Sequence, residues 1–294
     1  MKKITFLFCF FTLSCWSQKI VSNGTLATKT KINQYVSLDS LDKQLVVIIS
    51  KIQKSSLKSN SKKLHTFLKL LSAQKKVRKL TNKDDRNIKE LQASTMIELI
   101  INVAIPNKWI DSTIYYKNKI LLLTDIPNIR ANAYGAAAFA YQENNMLTEA
   151  VKHHEKTIEE YKHSNKKDIT KHKIIPLVNI IECLLKLGSI EHAHHRMLAL
   201  SQTINKIPQH PRYNQWQQLI KIMQASIFVE AKKYGQALDI LTAVDKSKIN
   251  TQQLLNRYHL ISYRTQTELA NYAVAEDHLE KQFSTKENID DICI

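Results

Sequence analysis

From residue 39 onward the apolar positions follow a helical rhythm. Leu41, Leu45, Ile48, Ile49 and Ile52 recur at the spacing that puts side chains on one face of a helix. With Asp39 or Ser40 as N-cap, the pattern predicts a first helix running to Ser55. Ser59-Asn60-Ser61 breaks it. Leu64, Phe67, Leu68 and Leu71 then repeat the i, i+3, i+4, i+7 spacing and predict a second amphipathic helix, with Lys62, Lys63, Lys69, Lys75 and Lys76 largely outside its stripe. The chain begins differently. Ile4 to Leu13 is a largely apolar run behind Lys2 and Lys3, and residues 19–38 are mostly polar, carry Asn23-Gly24, lack helical periodicity and read as a linker.

Composition sharpens this picture. Only 4 glycines and 5 prolines occur in 294 residues, too few for the frequent turns of sandwiches, barrels, Rossmann units or P-loops, so the expected fold class is all-α. At 44% hydrophobic residues the chain is not wholly disordered, and its length gives room for one large domain or two ordinary ones. Two of the 4 cysteines, Cys9 and Cys15, lie in the N-terminal stretch; Cys183 and Cys293 remain, and they make no disulfide framework.

The first eighteen residues read as an export signal: a basic start, then an apolar core of ten residues, far short of the roughly 20 that span a bilayer. Two endings fit. A peptidase cut after Ser17 or Gln18, with Cys15 at −3, would release a soluble chain. Alternatively Leu13-Ser14-Cys15 acts as a loose lipobox and Cys15 becomes a lipidated N-terminus, with Thr12 where a lipobox has Leu, Val or Ile. No later segment is apolar enough to cross a membrane. The expected location is therefore outside the cytoplasm, periplasmic or membrane-anchored as a lipoprotein, and the style of the signal points to a bacterial envelope.

From about residue 87 the chain repeats itself. Tyr134, Ala138 and Tyr141 mark one helix, Asn144-Asn145 a turn, and Ala150 the next helix, twelve positions after Ala138. A second unit has Gly188 in the turn and Ala193 as anchor, with Leu177, Ile181, Leu184, Met197 and Leu200 at packing positions. A third has Ala225, Phe228, Tyr234 and Ala237. A fourth has Tyr272 and Ala275, with Tyr263 and Gln266 where a small residue and an aromatic are expected, so its first helix looks shifted by a residue. A weaker unit precedes them all, with Trp109 at the turn, Ser112 as anchor, and Ile100 and Val103 facing it. The pattern resembles the tetratricopeptide repeat, in which small residues at positions 8, 20 and 27 let paired helices approach and aromatics at 4 and 11 fill the gap. Anchors at 112, 150, 193, 237 and 275 are 38, 43, 44 and 38 residues apart, longer than the family's roughly 34 and overlapping HEAT and armadillo spacings. The recurring aromatic-x-x-small element at the turn favours the tetratricopeptide reading.

The resemblance implies a right-handed superhelical solenoid of antiparallel helical hairpins over 87–285. Before it lie a signal (1–18), a linker (19–38) and a lysine-rich helical region (39–86), and after it a tail (286–294). It further implies recognition of a protein or peptide on the concave surface lined by the first helices. In family register that surface holds Gly135, Phe139 and Gln142, then Val178, Glu182 and Leu185, then Ile222, Ser226 and Val229. The competing reading is that Val178, Leu185, Ile222 and Val229 are buried by longer helices. The lysine and asparagine clamp that some relatives use for a C-terminal carboxylate is missing from these positions.

Catalysis finds little support, because no Gly-rich phosphate loop, G-x-S-x-G, H-E-x-x-H or CxxC is present. Cys183 beside Glu182 reads as a core thiol. His153-His154 and His192-Ala-His194-His195 fall on second helices, with His154 at a packing position and His192 and His195 outward, so neither metal nor cofactor is expected. The net charge of +17 comes from 36 lysines and 7 arginines against 26 acids, and residues 43–83 hold eleven lysines, Arg78 and no acid. That run reads as a solvated helix face or as a contact with anionic envelope lipid. It lacks the aromatics for stacking and is not expected to bind nucleic acid. Three function classes follow: a non-enzymatic interaction scaffold, an anionic-surface binder acting through 43–83, and the sensor half of a signalling system whose output lies on another chain.

Overall fold

The structure, a computed structural model, describes residues 37–52, 57–77, 82–164 and 169–284. The signal, Cys15, nearly all of the linker, the tail and Cys293 lie outside the described residues. Those described are helical, with no strand among them, and no helix among them is long and apolar enough to cross a membrane. The chain divides into two units, Met1–Glu98 and Leu99–Ile294, so the boundary expected at 86/87 falls inside a helix.

In the first unit, helices α1 (Leu38–Ile52), α2 (Leu57–Val77) and α3 (Asn82–Leu99) follow one another. Ser37, not Asp39 or Ser40, caps α1: its hydroxyl accepts the Ser40 amide at 3.2 Å, which leaves Asp39 in the first turn, where the helix dipole favours an acid. Leu41, Leu45 and Ile48 are buried as the rhythm requires, and so are Leu64, Phe67 and Leu71 of α2. Ser59-Asn60-Ser61 does not break the chain but sits near the start of α2, where short polar side chains cost a helix little. Asp85 of α3 receives Lys75 from α2 and Lys89 from its own helix, each at 2.8 Å; the hydrogen bond from Lys75 does most to hold its carboxyl below the usual range.

The second unit opens with a π-helical turn, Ile100–Ala104, and continues through α4 (Ile110–Leu123), α5 (Pro127–Glu143), α6 (Leu147–Lys162), the short α7 (Ile169–His172) and α8 (Ile174–Lys186). Then come α9 (Ile190–Asn205), α10 (Tyr213–Glu230), α11 (Tyr234–Thr242), a 3₁₀ turn (Lys246–Lys248), α12 (Gln252–Glu268) and α13 (Tyr272–Ser284). Neighbours in sequence pair as hairpins, α5 with α6, α8 with α9, α10 with α11 and α12 with α13, and each hairpin packs on the next through α6 on α8, α9 on α10 and α11 on α12.

One turn is built five times. Lys108, Asn145, Gly188, Lys232 and Ala270 have φ of 58°, 59°, 72°, 58° and 59°, and each lies two residues before a second helix. The amide of each donates to the carbonyl three residues back. The next amide reaches back five: Trp109 to Ala104, Met146 to Tyr141, Ser189 to Leu184, Lys233 to Phe228 and Asn271 to Gln266, at 2.8–2.9 Å. This is the Schellman arrangement, which uses up the carbonyls orphaned at the end of the first helix. Five positions after each left-handed residue comes the fourth residue of the second helix: Thr113, Ala150, Ala193, Ala237 and Ala275, all at 3% exposure or less.

The first anchor is therefore Thr113 and not Ser112, which is half-exposed. In the last hairpin the small buried residue of the first helix is Ser262, one position before Tyr263, so the expected one-residue shift is present. Ala138, Ala225 and Tyr141 are buried, Tyr134 lies half-buried beside His153 with ring centres 6.1 Å apart, and Phe228 packs on the core around Ala225 and Ala237. Tyr272 departs from its role. It is 67% exposed, because no later described helix packs on α13 to cover it, whereas Tyr234 packs on the cluster that Tyr258 of α12 joins.

A Cβ at positive φ crowds the following carbonyl, so the four non-glycine occupants of these turns are strained. Ala270→Gly and Lys232→Gly are each expected to raise stability by about 0.5–1 kcal/mol, and Gly188→Ala to lower it by about as much. At Gly188 an added Cβ would meet nothing within 4 Å, so backbone conformation alone would set that loss. Urea midpoints check this; unchanged midpoints in both glycine variants would contradict the turn geometry.

Candidate interaction surface

The first helices are packed more completely than family register implies. α5 runs Ala131 to Ala140 with six buried alanines, which let α4 and α6 close on it. Of the residues expected along the inner curve, Phe139, Val178, Ile222, Ser226 and Val229 are buried, and Gly135 is buried against Thr157 of α6. These are packing residues and not groove-lining ones: each first helix touches its own partner and also the second helix of the hairpin before, which leaves little of its circumference free. Ser226 turns its hydroxyl back to the Ile222 carbonyl at 2.9 Å.

Gln142, Glu182 and Leu185 keep some exposure. Glu182 is already occupied. It forms an ion pair with Arg257 of α12, with side-chain exposures of 20% and 14%, and Arg257 also directs Nη1 at the Met223 sulfur of α10 at 3.1 Å. The pair therefore ties three consecutive first helices together. Nothing local in the sequence marks it, since its members sit in different repeats.

Gln142 and Leu185 occupy equivalent places, three residues before the left-handed residue of their turns. Both lie next to the turns, which carry the exposed apolar side chains Trp109 at 54%, Met146 at 43% and Leu187 at 45%, while Tyr115, Leu122 and Leu198 are exposed along second helices. An open concavity of about 580 Å³ lies there, between residues 145–149 at the start of α6 and Lys186-Leu187 at the turn into α9. Burial raises the Glu143 carboxyl above its ordinary range while Lys108 and Lys186, from the turns on either side, pull it back, so the charges of three successive turns act on one another. Of the residues expected along the inner curve, those near the turn ends of the first helices keep more exposure than those in the middle. The sequence reading placed Gln142 and Leu185 on the inner curve and took Trp109 only as a turn filler.

The other chemistry-bearing residues are dispersed. His192, His194 and His195 are exposed on α9, while His153 and His154 are buried on α6. The His153 ring bonds through Nδ1 to the Glu149 carbonyl at 2.9 Å and lies 4.7 Å from the Tyr141 ring. Neither nitrogen of His154 has a hydrogen-bond partner, and burial pushes its pKa down to about 3. Among the described residues no group of three or more His, Cys, Asp or Glu is arranged to hold a metal. Cys183 is buried, and burial first, then Glu182, raises its thiol to about 12, a value that leaves no thiolate for nucleophilic work.

Two predictions follow from these environments. Arg257→Ala strands a shielded carboxylate and is expected to cost about 2–4 kcal/mol, with the Glu182→Gln, Arg257→Met double variant recovering much of that loss in a denaturation cycle. Additive losses would show the pair to be uncoupled. His154 behaves oppositely to a paired group. Its folded pKa lies below the unfolded value of about 6.5, so its contribution is fully present above that pH and is lost as pH falls toward 3. His154→Leu is expected to raise stability by roughly 1 kcal/mol at neutral pH and to flatten the decline between pH 6.5 and 4, as read by urea denaturation across pH. Comparison with known proteins finds no matching family model, no matching curated protein and no matching solved structure.

Proposed function

We propose that the chain is an exported, non-enzymatic interaction scaffold of tetratricopeptide-like hairpins, stacked as a right-handed solenoid, that holds a protein or peptide partner at the turn ends of its first helices. The observation that carries this reading is the turn built five times over with a small buried anchor at a fixed offset, a construction whose use elsewhere is to display surface and not to perform chemistry. The accessible side chains at those ends, Trp109, Gln142, Met146, Leu185 and Leu187, combine an aromatic, a thioether, aliphatics and an amide, which suits an extended or helical segment bearing apolar side chains. The middle of the inner curve, which the Glu182–Arg257 pair holds closed, is not part of the proposed site.

A second reading rests on α1 and α2, where Lys43, Lys62 and Lys69 are exposed: contact with an anionic lipid surface, strengthened if Cys15 carries a lipid.

One experiment addresses both. A photo-crosslinking residue is placed at Gln142 or Leu185, at the outward His195, or at Lys62, in the chain expressed with its own leader in a bacterial host. The scaffold reading expects a discrete protein adduct from Gln142 and Leu185, absent from His195 and insensitive to salt between about 50 and 500 mM. Lipid adducts confined to Lys62 and abolished at high salt would replace it with the surface-binding reading. Intact mass of the same preparation, with and without Cys15→Ala, reads the leader: acylation at Cys15 lost in the variant marks an anchored lipoprotein, and a chain beginning near Gln18 marks a released one.

A further inference from the structure

The last hairpin carries an arrangement that neither the repeat pattern nor the proposed site uses. His259 of α12 and His278 of α13 face each other with Nδ1 2.9 Å from Nδ1 and ring centres 5.2 Å apart. Two ring nitrogens at that distance share one proton: a neutral ring donates and the other accepts. Were both rings protonated, both nitrogens would carry hydrogens and a positive charge, and the contact would turn repulsive. His259 is buried at 5% exposure, and the Tyr258 ring stands edge-on to both imidazoles at 5.3 and 5.8 Å, which closes one side of the pair to water.

The surrounding charges reinforce this. Lys246, from the 3₁₀ turn before α12, lies 5.7 Å over Tyr258 and acts on both rings, as does Lys281 of α13. Among the described residues Asp277 of α13 is the one acid that acts on both, and its carboxylate is bound by Lys281. No charged group of α10 or α11 acts on either ring among the described residues. The environment is thus more cationic than anionic, and it opposes a second and third positive charge.

What the pair fastens is the last described helix. Among the described residues α13 packs chiefly on α12, with no helix on its outer side, and Tyr272 and Val274 are exposed along it. The turn that leads into it holds Ala270 at φ 59°, the only alanine among the five left-handed positions. α13 also buries Ala275, and at its entry the Asn271 side chain donates to the Gln266 side chain at 2.8 Å.

We propose that the His259–His278 contact is an acid-sensitive latch that fastens α13 to α12 at neutral pH and frees it when both rings are protonated, exposing the face of α12 that α13 covers. The electrostatics agree in direction: desolvation first, then His278 and the lysines, lowers His259 to about 4, and burial lowers His278 as well. Both folded values lie below the ordinary imidazole value near about 6.5, so closure is fully present above that pH and is lost as pH falls below it.

The test is amide hydrogen exchange on the full chain at pH 7.5, 6.0 and 5.0, corrected for the intrinsic rate. Protection in residues 272–284 is expected to fall about thirtyfold between pH 7.5 and 5.0 while α8 and α9 hold theirs, from a shift of His259 from about 6.5 to about 4. In His278→Gln, which retains an amide hydrogen bond but cannot charge, the fall is expected to shrink to the part that burial of His259 alone supplies. A wild-type fall below threefold, an equal fall in α8 and α9, or the same fall in His278→Gln would each overturn the latch. If His278→Gln is already unprotected at pH 7.5, ring-carbon NMR on the wild type decides. Both rings titrating below pH 6 supports the latch, and either ring titrating at 6.5 or above overturns it.

Discussion

Everything in Leu99–Ile294 hangs on a pairing between one backbone conformation and one side-chain size. A residue in the left-handed region ends the first helix and reverses the chain, and five positions later a side chain no larger than threonine lets the second helix lie against the first. The two conditions need each other. Without the reversal the second helix would not return along the first, and without the small anchor it would return too far away to bury the residues at 138, 225 and 262. The aromatics then become intelligible as fillers of the space beside the anchor: Tyr141 and Phe228 are the residues whose carbonyls accept the long-range turn hydrogen bond. One position thus serves the backbone and the core together.

Half of that pairing was legible in the sequence. Alanines at 150, 193, 237 and 275 stand out because they recur after a turn signal at roughly even spacing, and each is buried. Thr113 was missed by one residue, with Ser112 read as the anchor, because the two are neighbours of similar size and only the facing helix distinguishes them. The left-handed positions were nearly invisible. Gly188 announces itself, but Lys108 and Lys232 read as surface lysines, and nothing in a lysine's chemistry signals positive φ. The inner curve was misjudged for a related reason: register borrowed from 34-residue repeats assumes helices short enough to leave a face free, and units of 37 to 44 residues bring more side chain to cover it. Gln142 and Leu185 escape because they lie at the turn ends, past the point where the preceding hairpin reaches.

The basic residues divide by type in a way that composition alone conceals. Lysines dominate the charge and mostly stand in solvent. Four of the seven arginines instead join one helix to another, Arg130 to Glu160 within a hairpin, and Arg196 to Glu155, Arg257 to Glu182 and Arg264 to Glu230 between hairpins. A planar guanidinium with several fixed donors can hold a carboxylate and a second acceptor at once, as Arg130 does by reaching the Leu121 carbonyl, whereas an ammonium loses more hydration to do less. The surplus of lysine is therefore a statement about the surface, and the scarce arginines are a statement about how hairpins are joined.

This division bears on what a partner can displace. A ligand entering the middle of the inner curve would have to separate Glu182 from Arg257, leaving two shielded charges to be satisfied anew, and the cost of stranding such a charge is about 2–4 kcal/mol before any contact is gained. At the turn edge the same ligand would cover Trp109, Met146 and Leu187, which are already in water and gain from being covered, at roughly 25 cal/mol per Å² of apolar area. The difference is comparable to the whole affinity of a weak complex. On the proposed scaffold reading, a partner is therefore held at the turn edge and not along the middle of the first helices, and the constraint behind that choice is the ion pair binding α8 to α12 across α10.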